Sequence, residues 1–161
     1  MQEDHADDDG QVQRIAVVIH ASAAAIYRAI TDPALLVQWQ APGEMTARIE
    51  MLPGAAGYRM ILRYPDAEPD ARGKSGERED RSIARYLMQD PPHRLVQAIA
   101  FETDDPRFAG EMTMETVLTP VDGGTEVAIA YRHLPPGIRR EDNALGTRLS
   151  LEKLAALVEH R

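Results

Sequence analysis

The sequence predicts an α+β domain, in which a curved antiparallel sheet of about seven strands wraps around a long C-terminal helix, with two short helices after the first strand. Three observations predict it. Residues 140–159 form the longest run with one helical period, Ala144, Thr147, Leu151, Leu154 and Val158 recurring at spacings of three and four. Between residues 44 and 132 the period changes to two, in six runs separated by turn residues. Consecutive strands joined by short turns form a meander whose apolar face needs a cover, and the terminal helix is the one long amphipathic element that can supply it.

Residues 1–10, MQEDHADDDG, are acidic and nearly devoid of apolar side chains. They cannot bury enough surface to offset the entropy of ordering, so a disordered tail is expected, with the domain over residues 11–161. Residues 11–20 place Ile15, Val17 and Ile19 on one strand face. Ser22 is a candidate N-cap for a helix over 23–30, and Asp32-Pro33 caps and starts a second over 34–39, closed by Trp39. Six strands follow over 44–52, 57–64, 81–89, 95–102, 111–119 and 125–132. Pro53-Gly54, Asp90-Pro91-Pro92 and residues 120–124 mark the tight turns. Residues 65–80 are charged and lack large apolar side chains, so a long mobile loop is expected there. Pro135-Pro136-Gly137 precedes the long helix, whose first turn carries Glu141 and Asp142, as its dipole favours. Arg148, Glu152, Lys153 and Glu159 lie off the stripe and are expected in solvent. The N-terminal half of this helix is small or polar, with Asn143, Ala144, Gly146, Thr147 and Ser150. Such residues admit either a close-packed neighbour or a ligand.

The 161 residues fit one domain, and a 43% hydrophobic content supplies one core. A net charge of −8 opposes nonspecific binding to nucleic acid or anionic membrane. The absence of cysteine removes disulfides, thiolate metal sites and cysteine nucleophiles. No apolar run approaches the ~20 residues needed to span a bilayer, and no signal peptide is recognisable, so a cytoplasmic protein is expected.

Motifs for chemistry are sparse. Gly73-Lys74-Ser75 lacks the first glycine of a phosphate loop, because Glu68 stands in its place. The five histidines show no ligand spacing, and no metal or other cofactor is expected. Asp142 and Asn143 could meet Arg132 or His133 as an acid/base pair, although helix-end electrostatics account for the same residues. Tyr58, Met60 and Leu62 share one strand face, and Met112 and Met114 another. Such adaptable side chains suit an apolar ligand or a plain core.

Two longer stretches carry a resemblance. IHASAAAIYRAITDPALLVQWQAP, through Ala21, Ser22, Ile26, Thr31, Asp32, Pro33, Leu36, Trp39 and Pro42, resembles the opening of the START-like helix-grip (SRPBCC) superfamily. The branch it resembles most is that of the C-terminal domain of the activator of the ninety-kilodalton heat-shock protein ATPase. LPPGIRREDNALGTRLSLEKLAALVE is similar to the same branch's close, and the 90–96 corner and 118–125 hairpin are similar too. Gln40 and Thr147 depart from relatives that carry aromatic residues at these positions, which enlarges or polarises the pocket.

The resemblance implies a cavity between sheet and helix for a small hydrophobic or amphipathic ligand, with Trp39 beside its entrance. Its lining is expected from Trp39, Tyr58, Met60, Phe101, Met112, Met114, Asn143, Thr147, Ser150 and Leu151. No catalytic residue transfers from the family. A cyclase or hydratase acting in the same cavity is one alternative. A co-chaperone-like interaction module is another, with a chaperone partner implied by the resemblance alone. Leu145 and Leu149 would serve docking or a homodimer, and a monomer is equally compatible.

Overall fold

The computed structural model describes residues 12–65, 74 and 78–159. The tail expected over 1–10 lies outside them, as does most of the loop expected over 65–80. Strand β1 (Gln13–Ile19) leads into helices α1 (Ala23–Thr31) and α2 (Pro33–Trp39). The meander follows as β2 (Thr46–Met51), β3 (Gly57–Arg63), β4 (Glu79–Asp90), β5 (Arg94–Phe101), β6 (Glu111–Val121) and β7 (Gly124–Arg132). Helix α3 (Arg140–Glu159) closes the chain, and single-turn helices occupy Pro53–Ala55 and Pro106–Phe108. The seven strands form one antiparallel sheet in the order β1-β7-β6-β5-β4-β3-β2. This is the α+β helix-grip arrangement.

Local chemistry sets the first corner. The Ser22 hydroxyl accepts from the Ala25 N–H at 3.1 Å and starts α1. Asp32 ends α1 by donating its N–H to the Arg28 carbonyl and starts α2 by accepting from the Ala34 N–H at 2.9 Å. Pro33 at the first helical position loses no hydrogen bond there.

Several boundaries differ from expectation. β4 begins at Glu79, where it pairs with Arg63, because charged side chains on its outer face tolerate solvent as well as a loop does. β6 runs through Pro120 to Val121, two residues beyond the expected end. Pairing with β5 stops at Val117, so Pro120 lies where no neighbouring strand requires its missing N–H. The hairpin is therefore tight, with Val121 opposite Gly124 and Gly123 at φ +80°.

On the outer face, charges pair across strands. Arg59 of β3 grips Glu102 in bidentate fashion at 2.6 and 3.0 Å and also reaches Glu50 of β2. Arg85 and Glu111 pair farther along. The inner face is apolar and meets α3, α1 and α2, with Ile15, Ile19, Ile26, Leu36, Leu95, Val127 and Leu154 essentially inaccessible. Glu159, like Arg148 and Glu152, is exposed as expected, whereas Lys153 is half-buried. Lys153 donates to the Ala41 carbonyl at 2.7 Å, and Glu159 accepts from the His20 N–H at 3.0 Å.

Asp32 serves two helices at once, so Asp32→Ala should cost about 1–2 kcal/mol, at the upper end of N-cap losses. The shift in the urea midpoint measures it, with Ser22→Ala as a one-helix control.

Candidate functional site

The site follows from how α3 is divided along its length. Its C-terminal half offers Leu151, Leu154 and Val158, all buried, and these fill the sheet's concave face. Only about 10 Å³ of free space remains beneath Leu151 and Leu154. The N-terminal half offers Asn143, Gly146, Thr147 and Ser150, and over these the sheet is not filled. A cavity of about 500 Å³ lies there. A Cβ built on Gly146 would meet only Pro42, at 4.0 Å. The small stripe therefore opens onto space and not onto a close-packed neighbour.

Sheet register decides which strand residues face this space. One row runs Tyr58, Ala84, Ile99 and Met112 across β3 to β6. The next places Met60, Ser82 and Phe101 side by side, and another joins Gln97, Met114 and Tyr131. All ten residues expected at a ligand site line the cavity: Trp39, Tyr58, Met60, Phe101, Met112, Met114, Asn143, Thr147, Ser150 and Leu151. Trp39 is not at the entrance, however. It is only 4% exposed, borders both the cavity and the small deep void, and donates its indole N–H to the Ala29 carbonyl at 2.8 Å.

Sequence reading missed Ser82 and Ala84. Their signal was available, because two small residues alternate on the inward row of β4, where a core would place bulk. It also missed Tyr131, whose partner on α3 is distant in sequence. The mouth is built from the Pro106–Phe108 turn and the loop before α3. Gly137 donates its N–H to the Arg107 carbonyl at 2.7 Å, and a Cβ there would strike Phe108 at 2.7 Å. This approach explains glycine at 137 and holds Phe108, Ile138 and Arg139 at the rim.

Several polar groups inside hydrogen-bond to one another. The Tyr131 and Thr147 hydroxyls share a hydrogen bond of 2.8 Å. The Tyr58 oxygen accepts from the side-chain amides of Gln40 at 3.2 Å and Gln97 at 3.3 Å. Ser150 donates to the Gln40 carbonyl at 2.9 Å. Asp80, nearly buried, accepts from both the backbone N–H and the ammonium of Lys74, and that ammonium lies over the Phe101 ring. Burial raises the pKa of Tyr58, Tyr131 and Tyr86 above the ordinary phenol value of 10.0. The contact of Asp142 and Asn143 with Arg132 or His133 is not what forms. Asn143 donates to the Gln13 side chain at 2.9 Å, Gln13 donates to the Arg140 carbonyl, and Arg132 and His133 are exposed. Among the described residues no group of three His, Asp or Glu could hold a metal ion. Likewise, no described helix is long and apolar enough to cross a membrane.

Comparison with known proteins places this geometry. The family described as Activator of Hsp90 ATPase homolog 1-like protein matches residues 20–159. The crystal structure of a Chromobacterium violaceum protein is similar at 27% identity, with a TM-score of 0.78, over 92% of this chain and 96% of that one. A Rhodobacter sphaeroides structure is similar at 21% identity and 0.71, over 92% and 93%. A solution structure from Arthrobacter aurescens matches at 16% and 0.74, over 93% and 87%, a likeness of fold alone. No curated protein is significantly similar in sequence.

Two measurements test the site, the first its unfilled space and the second the burial of its phenols. In a filled core, adding an indole costs about 1–3 kcal/mol. Thr147→Trp should cost less than that, because the ring enters free volume, whereas Leu151→Trp, over the packed half, should cost the full amount or more. Urea midpoints of the two variants separate the cases. In the second, the folded chain retains phenol protons that the unfolded chain releases near pH 10, so stability is complete below pH 10 and declines as pH rises through it. Tyrosinate absorbance of the native protein should lag behind that of the urea-unfolded chain.

Proposed function

The chain belongs to the Activator of Hsp90 ATPase homolog 1-like protein family, and from that premise we propose that it binds a small hydrophobic or amphipathic molecule in the cavity between the sheet and α3, without carrying out chemistry on it. The observation that carries this reading is the cavity itself. Its volume of about 500 Å³ falls within the range of small-molecule sites. Its walls are mostly methionine, aromatic and aliphatic side chains, interrupted by a few polar groups, as such sites commonly are. Met60, Met112 and Met114 from β3 and β6 supply flexible surface that adjusts to the ligand's outline.

Binding is favoured over catalysis by the character of the interior groups. The phenols are held in their neutral form by burial, and Asp80 is engaged by Lys74. A general acid or base works best with a pKa near the operating pH, and the raised phenols are moved away from it. The docking alternative rests on the helix surface. There Leu145 is 58% exposed, while Leu149, one turn on, is half-buried beside Gly43, so the exposed apolar surface is small. This reading expects the protein in the cytoplasm, where an apolar metabolite would be sequestered from water.

Trp39 is the only tryptophan and borders the cavity, so ligand entry should change its emission. Native mass spectrometry of the purified protein should reveal an adduct of a few hundred daltons, which should be displaced in Thr147→Trp. If the mass is bare and no apolar compound alters the emission, the binding reading is lost.

A further inference from the structure

We infer that the ligand presents a neutral oxygen acceptor, a ketone or similar carbonyl, to the buried end of the cavity, where the Tyr58 hydroxyl donates to it; this rests on the binding reading above. A phenol oxygen both accepts and donates. The Tyr58 oxygen accepts from two amide groups, those of Gln40 and Gln97. Its own proton has no acceptor among the described residues, although Tyr58 is only 4% exposed. A buried donor left unmade costs on the order of what a hydrogen bond is worth, so an acceptor supplied by the ligand is favoured there.

The opposite flank repeats the imbalance. Tyr131 and Thr147 have two hydroxyl protons and one bond between them, so whichever donates, the other's proton is left over. Tyr58 stands on β3 and Tyr131 on β7, and both side chains line the cavity. The interior is thus rich in donors. It is also unsuited to an anion. Its one ammonium, on Lys74, is already paired with Asp80, and Arg139 belongs to the exposed rim beside Glu141. An unpaired carboxylate would lose its hydration without a compensating cation. A ketone needs only the donor that is present.

The test uses three compounds of similar shape: 2-acetylnaphthalene, 2-isopropenylnaphthalene and 2-naphthoate, measured by equilibrium dialysis against the full chain at pH 7. The ketone should bind about tenfold more tightly than the hydrocarbon, the value of roughly one net hydrogen bond, and the carboxylate most weakly. In Tyr58→Phe, which removes one oxygen, the preference for ketone over hydrocarbon should fall to about twofold or less. Should that variant not fold, as read from its thermal transition, the ranking in the wild-type protein decides alone. Equal binding of ketone and hydrocarbon, tightest binding of the carboxylate, or a preference that survives in folded Tyr58→Phe overturns the inference and leaves cavity binding standing. Binding of none of the three overturns both.

Discussion

The structure depends on a mismatch between one concave sheet and one helix. Alternate residues of β3 to β7 point to the same side over the cavity rows, the β4–β5 register shifting beyond them, between Tyr86 and Met88. Those rows offer far more inward surface than α3 can cover. Leu151, Leu154 and Val158 satisfy one end. At the other end α3 presents hydroxyls, an amide and a glycine, and the strands opposite present Ser82 and Ala84. Neither partner supplies the missing volume. Packed core and empty cavity are two ends of one interface, divided where α3 changes from small to large side chains.

An unfilled end is costly in lost contacts, and α3 is held over it by hydrogen bonds instead. Gln13 links β1 to the first turn through Arg140 and Asn143, and Tyr131 links β7 to Thr147. Ser150 and Lys153 bind successive carbonyls of Gln40 and Ala41, just beyond α2. These contacts are between parts of the chain far apart in sequence, and each buries a polar group together with its partner, which is the condition for such groups to be tolerated in a core. They fix the height of α3 above the sheet where no apolar packing does so.

Much of this was legible in the sequence, for identifiable reasons. Strand and helix periods are local properties, so the element order and the α3 stripe could be read directly. Asp32-Pro33 and Ser22 are caps whose chemistry lies within three residues. Helical spacing and strand alternation made legible which side the ten cavity residues face, whereas the cavity they line was expected from the family resemblance alone. Three things were not. Pro120 looked like a strand end, because nothing in its neighbourhood reveals that β5 has already stopped. Lys153 looked solvated, because its acceptor at Ala41 is over a hundred residues away. The partners of Tyr58 and Tyr131 depend on the register of four strands and the angle of one helix, and no short-range pattern encodes these.

The sheet is open, and β2 is its edge next to the cavity wall. Its residues are mostly exposed, and among the described residues its one strand partner is β3, which carries Tyr58 and Met60. The leucine-filled end, by contrast, is enclosed by α1, α2, β1 and β7. Local opening therefore has different free energies at the two ends, and the β2 margin is the weaker one. Opening of this margin would not require the domain to unfold. The amide protons of β2 and β3 would then exchange with solvent long before those of β1 and β7, so that the unequal filling of the interior is inscribed as a gradient of exchange rates across a single sheet.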